Sequence, residues 1–140
     1  MNKNLKNKYK SLNHCRYLIQ FHIIWCTKYR YLVLNPRRQK KLKDILINIA
    51  NTYDYEIKEM EIMPNHIHIF IGCKPTVKPT DLVRTLKSIT AREMFKNDLA
   101  LKNFYNRRKC LCSRGYFIST IGYISEETIK RYIQNQHNFE

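Results

Sequence analysis

The chain has 140 residues, of which 26 are Lys or Arg and 11 are Asp or Glu, so its formal net charge is +15. This length corresponds to a single domain, 1–140, that folds without disulfides. With 44% hydrophobic residues and only three Gly and four Pro, the chain is neither a disordered basic tail nor a low-complexity sequence. The positive charge predicts a polyanionic partner, either nucleic acid or an anionic membrane surface.

Residues 1–13 form a basic arm without the apolar segment of a secretory signal. The longest apolar stretch, 17–26, is interrupted by Gln20 and His22 and is far shorter than the roughly 20 residues of a membrane span. The five Cys give no even disulfide framework, and Cys110 and Cys112 lack a second pair at zinc-site spacing. We therefore expect a cytoplasmic protein with reduced thiols and no membrane association.

The first half of the chain predicts a strand, a helix and a hairpin. Residues 15–26 are rich in β-branched and aromatic side chains and indicate a strand. Asn35-Pro36 is typical of a helix start, with an N-cap residue before a proline at the first helical position. Residues 55–63 and 66–72 indicate two antiparallel strands joined by a turn at Pro64-Asn65.

The second half adds a helix, a strand and a last helix. The second helix begins at Pro79, residues 102–114 form a basic loop, and 116–122 indicate a fourth strand. Ser125 is placed to cap a final helix that runs to about His137. The first six elements predict an α+β, ferredoxin-like (RRM-like) antiparallel sheet with helices on one face, followed by a C-terminal helix.

The sharpest local motif is His66-Ile67-His68. On a strand both imidazoles project from the same face, and they form half of a metal site or a hydrogen-bonded pair at a strand end. No Asp or Glu is expected beside the pair. On the last helix Tyr132 and Gln136 are four residues apart and share a face. His22 is interpreted either as a core residue or as a neighbour of the site, with the structural role favoured.

Four segments together carry a resemblance that spans roughly residues 14 to 137. They are His22–Arg30, Pro64–His68, Arg114–Gly122 and Tyr132–Gln136. In this combination and order the sequence resembles the HUH single-tyrosine transposases of bacterial and archaeal insertion sequences (transposase A-like). It departs from that family at Cys112, near the position where a Trp is usual.

The resemblance implies a metal-dependent enzyme that cleaves and rejoins single-stranded DNA. Tyr132 would be the nucleophile and form a 5′-phosphotyrosine, and His66, His68 and Gln136 would hold the metal. A neutral nitrogen and oxygen ligand set suits Mg²⁺ or Mn²⁺, although imidazole alone would also suit zinc. The resemblance further implies DNA substrates with hairpin ends and a homodimer that shares its active sites between subunits.

Basic side chains are the candidates for DNA contacts, because Lys and Arg bind phosphates while nearby aromatic rings stack on unpaired bases. The predicted set comprises Lys28, Arg30, Arg37, Arg38, Arg107, Arg108 and Arg114.

Three alternatives remain open at this point. A domesticated, repeat-associated or replication-initiator-like nickase would share His66, His68 and Tyr132. A metal hydrolase would use the histidines without the tyrosine. A non-catalytic nucleic-acid-binding domain would use the open sheet and the charge, although the strands lack the aromatic pair of an RRM.

Overall fold

The computed structural model describes residues 9–106, 110–120 and 125–135. The described ranges contain six strands: β1 Lys10–Leu12, β2 Cys15–Tyr17, β3 Gln20–Cys26, β4 Glu56–Met63, β5 His66–Gly72 and β6 Phe117–Ser119. The same ranges contain four α-helices: α1 Pro36–Tyr53, α2 Pro79–Asn97, α3 Leu99–Phe104 and α4 Glu126–Gln134.

The main sheet has four antiparallel strands in the order β4-β5-β3-β6. Counted along this sheet alone, the order is 2-3-1-4, the arrangement of a ferredoxin-like βαββαβ unit. The predicted α+β class with an antiparallel sheet is therefore confirmed. The last predicted strand is shorter than expected, 117–119 in place of 116–122, and residues 121–124 lie outside the described ranges.

The predicted first strand is divided in two. Residues 15–17 belong to a small separate hairpin with Lys10–Leu12, and β3 begins only at Gln20. His14, in the turn of this hairpin, has a φ of 62°. Part of the predicted basic arm is therefore a strand, and part of the predicted basic loop is the short helix α3.

Helix starts follow the local sequence. The Asn35 side chain accepts a hydrogen bond from the Arg38 backbone N–H at 2.9 Å, and Pro36 takes the first helical position. Ser125 caps α4 in the same way, with its Oγ 3.2 Å from the Thr128 nitrogen. Both caps were predicted, because each satisfies a backbone N–H that the helix itself leaves unpaired.

The core lies between one face of the sheet and the helices α1 and α2. Alternate residues of β5, namely Ile67, Ile69 and Ile71, point into it and are fully or almost fully buried. The intervening residues His66 and His68 must then point to the opposite face, because side chains alternate along a strand. The helices α1 and α2 thus cover one side of the sheet, and the histidines lie on the other side, where His22 and Ile24 of β3 are also buried.

The segment from Leu111 to Ser113 pairs with the backbone at the end of β3. The Lys28 nitrogen donates to the Leu111 carbonyl at 2.8 Å, and the Ser113 nitrogen donates to the Cys26 carbonyl at 3.0 Å. Burial raises the pKa of the Cys112 thiol to about 11, so this thiol is neutral at physiological pH.

Candidate active site on the open face of the sheet

His66 and His68 lie two residues apart on β5, on the face of the sheet opposite α1 and α2. Both are half-buried. The His66 Nδ1 lies 2.9 Å from the Asn65 Oδ1. Because an amide oxygen can only accept, the Asn65 contact fixes the proton of His66 on Nδ1 and leaves the lone pair on Nε2.

Burial keeps both imidazoles neutral. It lowers the pKa of His66 and of His68 below the usual value, and the mutual repulsion of their charged forms acts in the same direction on His66. For His68, the neighbouring His22 lowers the pKa further. Neutral imidazoles have a free lone pair, which is the form that binds a metal ion.

A carboxylate does stand beside this pair, contrary to the sequence-based expectation. Glu61 on β4 is directly opposite His68 in the sheet register, and directly opposite residues share a face. Its charge raises the pKa of both histidines and so opposes the effect of burial. Sequence adjacency missed Glu61 because the contact crosses between strands.

His22 is a further neighbour of the site. It lies on β3, is 4% exposed, and places its Nδ1 3.0 Å from the Nε2 of His68. Its ring stacks on Phe70 with centroids 4.3 Å apart. The favoured reading of His22 as a core residue is therefore incomplete, because the ring is buried but also touches a predicted metal ligand.

Tyr132 is on α4, and its ring contacts Phe117 of the edge strand β6. The rings of Tyr132 and Phe117 have centroids 6.0 Å apart, and the Tyr132 hydroxyl oxygen is buried. Phe117 is opposite Ile24, which is itself opposite His68. Phe117, which contacts the predicted nucleophile, is therefore in register with the predicted ligand His68, and β3 lies between their two strands.

The metal set predicted from sequence is only partly visible. Gln136 lies outside the described residues. Within 9–106, 110–120 and 125–135, no group of three or more His, Cys, Asp or Glu side chains is arranged to hold a metal ion. The predicted third ligand, the amide oxygen of Gln136, is of a kind that such a group of side chains does not include.

The predicted DNA-binding residues are spread over several surfaces. Lys28 is buried, and Arg30 has a buried Nη1 with no acceptor among the described residues. Both belong to a turn that leaves β3 beside Asn65, where the Thr27 nitrogen donates to the Asn65 carbonyl at 3.0 Å. In this turn Tyr29 and Arg30 have φ values of 58° and 55°, a strained conformation for residues with side chains. The turn therefore brings two basic residues to the histidine end of the sheet.

The other predicted cations differ in availability. Arg38 is engaged by Asp98, with Nε 2.7 Å from Oδ2, and this contact holds the pKa of the Asp98 carboxyl below its usual range. Arg37 is exposed. Arg107 and Arg108 lie outside the described residues. Arg114 is exposed and lines a large groove.

That groove, which we call the basic groove, has a volume of about 1220 Å³ and lies among α2, α3 and the segment 110–116. Among the described residues that line it there is no carboxylate, whereas two are aromatic, Phe95 and Tyr116. Its cations are Arg84, Lys87, Arg92, Lys96, Lys102 and Arg114. Sequence reasoning missed those on α2, although Arg84, Arg92 and Lys96 recur at multiples of four residues and so share a helix face.

Comparison with known proteins now gives the class. Residues 15–136 match the family model described as "Transposase IS200 like". The ISDra2 transposase TnpA of Deinococcus radiodurans is 35% identical over 130 residues, which cover 89% of this chain and 88% of the relative. The transposase for insertion sequence element IS200 of Salmonella typhimurium is 28% identical over 127 residues, 91% of this chain and 82% of the relative.

Solved structures agree with this assignment. A candidate transposase from Deinococcus radiodurans R1 superposes with a TM-score of 0.84 at 34% identity, covering 91% of this chain and 97% of the other. A REP-associated tyrosine transposase bound to a REP hairpin has a TM-score of 0.52 at 15% identity, covering 94% and 76%, and shows a likeness of fold. The protein is thus a DNA-binding transposase. More particularly, the chain belongs to the IS200-like, single-tyrosine family.

Proposed function

We propose that this transposase cleaves and rejoins single-stranded DNA at insertion-sequence ends through a 5′-phosphotyrosine on Tyr132, assisted by Mg²⁺ or Mn²⁺. The observation that carries the proposal is the pair of neutral, half-buried imidazoles on β5. Only β3 separates their strand from β6, whose Phe117 contacts Tyr132. Such an arrangement suits a site where a phosphate is held close to a nucleophilic oxygen.

The residues present fit a divalent ion. His66 and His68 would hold it together with Gln136. The hydrogen bond to Asn65 occupies Nδ1 of His66 and leaves the Nε2 lone pair available for the ion. When bound, the ion would neutralise charge on the phosphate oxygens of the scissile bond.

The proposed chemistry is an in-line exchange at phosphorus. The Tyr132 hydroxyl oxygen attacks and loses its proton, the bond to the 3′ oxygen breaks, and that oxygen takes up a proton as a free 3′-OH. The 5′ side then stays attached to Tyr132. Rejoining reverses these changes with a 3′-OH as the attacking group, so no external energy source is needed.

The burial of the Tyr132 hydroxyl supports the homodimer that the sequence resemblance implies. A buried oxygen cannot approach a phosphate, so α4 must change its neighbours before attack. We propose that α4 of one subunit meets His66 and His68 of the other, which would move Tyr132 out of its contact with Phe117. Size measurement in solution, by light scattering at several protein concentrations, tests the dimer.

We also propose that the basic groove binds the phosphates of folded DNA ends. It is lined by six cations, of which Arg84 and Arg92 also pair with Asp81 and Glu93, and its two aromatic side chains offer surfaces for base stacking. The groove and the histidines lie on different sides of the sheet, so one DNA end could be held on the helix side while its single strand reaches the open face. With DNA as the substrate, we place the activity in the cytoplasm. No helix in the described part of the chain has the length and apolar character to cross a bilayer.

The decisive experiment is incubation with labelled single-stranded DNA that carries a hairpin, with Mg²⁺ or Mn²⁺ present. We expect a covalent protein–DNA complex on a denaturing gel, and its loss in Tyr132→Phe with DNA binding retained. An undiminished complex in that variant would remove Tyr132 as the nucleophile and favour the metal-hydrolase alternative. A complex absent from the wild type would favour a non-catalytic DNA-binding domain.

The histidines are tested in the same assay. His66→Ala should retain DNA binding and lose cleavage, because the imidazole acts on the phosphate and contributes little binding area. Equal losses of binding and cleavage would contradict a metal role. Cleavage that does not depend on the hairpin would favour the nickase alternative.

A further inference from the structure

His22 makes a specific contact with His68 that the proposed reaction does not yet use. The two rings meet through His22 Nδ1 and His68 Nε2 at 3.0 Å. One face of the His22 ring stacks on Phe70, with the ring planes 5° apart. Because His22 is 4% exposed and stacked, its nitrogen has a fixed position from which to act on His68.

Two imidazole nitrogens at this distance share one proton, since one must donate and the other must accept. A metal-binding histidine keeps a lone pair on one ring nitrogen and donates the N–H of the other to a neighbour. For His66 that neighbour is Asn65. For His68, the neighbour of the Nε2 nitrogen is His22.

We propose that His22 is a positioning residue that accepts the Nε2 proton of His68 and so leaves the Nδ1 lone pair of His68 for the metal ion. This inference rests on the proposed role of His66 and His68 as ligands. The two ligands then differ: Asn65 fixes the proton of His66 on Nδ1, and His22 fixes the proton of His68 on Nε2. Each tautomer is set before the ion arrives, so binding requires no rearrangement of protons.

Two variants of His22 separate hydrogen bonding from packing. His22→Phe retains an aromatic ring that can stack on Phe70 but has no nitrogen. His22→Gln loses the ring and retains an amide oxygen that can accept a proton from His68. Thermal melting of both variants checks that the fold is retained.

The first measurement is long-range ¹H–¹⁵N NMR of the imidazoles in the metal-free protein at about pH 8, above the usual imidazole pKa. We expect one tautomer of His68 in the wild type, with the proton on Nε2. We expect a mixture in His22→Phe and a partial return in His22→Gln. A wild-type His68 with its proton on Nδ1, or an unchanged tautomer in His22→Phe, would overturn the proposal.

The second measurement is Mn²⁺ affinity by calorimetry. Loss of a hydrogen-bond partner of a ligand typically weakens metal binding about 10- to 100-fold, and we expect this in His22→Phe with recovery in His22→Gln. Unchanged or tighter binding in His22→Phe would contradict a positioning role. A wild type that binds no Mn²⁺ would instead count against the proposed metal role, and the NMR result would still decide the role of His22.

Discussion

At the scale of single residues, burial and a neighbouring charge act in opposite directions on the pKa values of the two histidines on β5. Burial lowers the pKa of His66 and His68, and the carboxylate of Glu61 partly opposes this. In the unfolded chain both imidazoles titrate near 6.5. As the pH falls below that value the unfolded chain therefore binds protons first, so the stability that neutral histidines contribute is complete above about pH 6.5 and is lost below it.

The variant Glu61→Gln tests this balance. Removing the negative charge while keeping the shape should lower the pKa of both histidines further, because burial then acts unopposed. NMR titration of the imidazole signals provides the measurement. Glu61 would have no electrostatic role at the site if the pKa values of both histidines stayed the same or rose.

At the scale of elements, α4 brings Tyr132 to the sheet edge. The helix has nine residues, from Glu126 to Gln134, and none of its side chains is fully buried. Its start is set by the Ser125 cap and by Glu126 and Glu127, whose charges suit the positive end of the helix dipole. The cap and the two carboxylates therefore stabilise the start of the helix that carries the proposed nucleophile.

Replacing the cap should affect chemistry more than global stability. Ser125→Ala removes the acceptor for the Thr128 N–H, at a typical cost of about 0.5–2 kcal/mol to the helix. We expect slower formation of the covalent complex, with an almost unchanged melting temperature because the core is elsewhere. Ser125→Asp, a good N-cap residue, is the matched control and should restore the rate. A rate in Ser125→Ala equal to that of the wild type would show that the cap does not position Tyr132.

At the scale of the whole molecule, the net charge of +15 is organised into surfaces. The basic groove gathers six cations on the helix side, while the turn at Lys28–Arg30 lies at the histidine end of the sheet. Some charge is used internally: Lys87 donates to the carbonyls of Ser113 and Arg114 at 2.6 and 3.0 Å. Only part of the excess charge is therefore free for DNA.

The salt dependence of DNA binding measures which cations meet phosphates. Each neutralised phosphate contributes about 0.7 to the slope of log K against log salt for single strands and about 0.9 for duplex. The double variant Arg92→Ala/Lys96→Ala should lower the slope by roughly 1.5, while Lys40→Ala/Lys43→Ala on α1 serves as the control. A larger change in the control than in the groove variant would assign the DNA to α1 instead.

Several features followed from sequence because local chemistry decides them. Asn35-Pro36 and Ser125 begin helices through caps that depend on a few neighbouring residues. The alternation in His66–Gly72 fixed which side chains share a face, and the order of elements gave the fold class. The division of the predicted first strand into β2 and β3 was missed, because the hairpin of Lys10–Leu12 with Cys15–Tyr17 carries no apolar alternation.

The sequence by itself determined the charge, the α+β class, the family motifs and the shared face of His66 and His68, since these depend on composition and short spacing. The tertiary structure alone decided that His22 touches His68 across 46 residues, that Glu61 faces it, and that the cations of α2 join Arg114 in one groove. Such contacts arise from strand register and helix packing, which join residues distant in the chain. Short sequence motifs thus determine the reactive groups of the site. The neighbours that set the pKa values and hydrogen bonds of these groups come together only when the sheet forms.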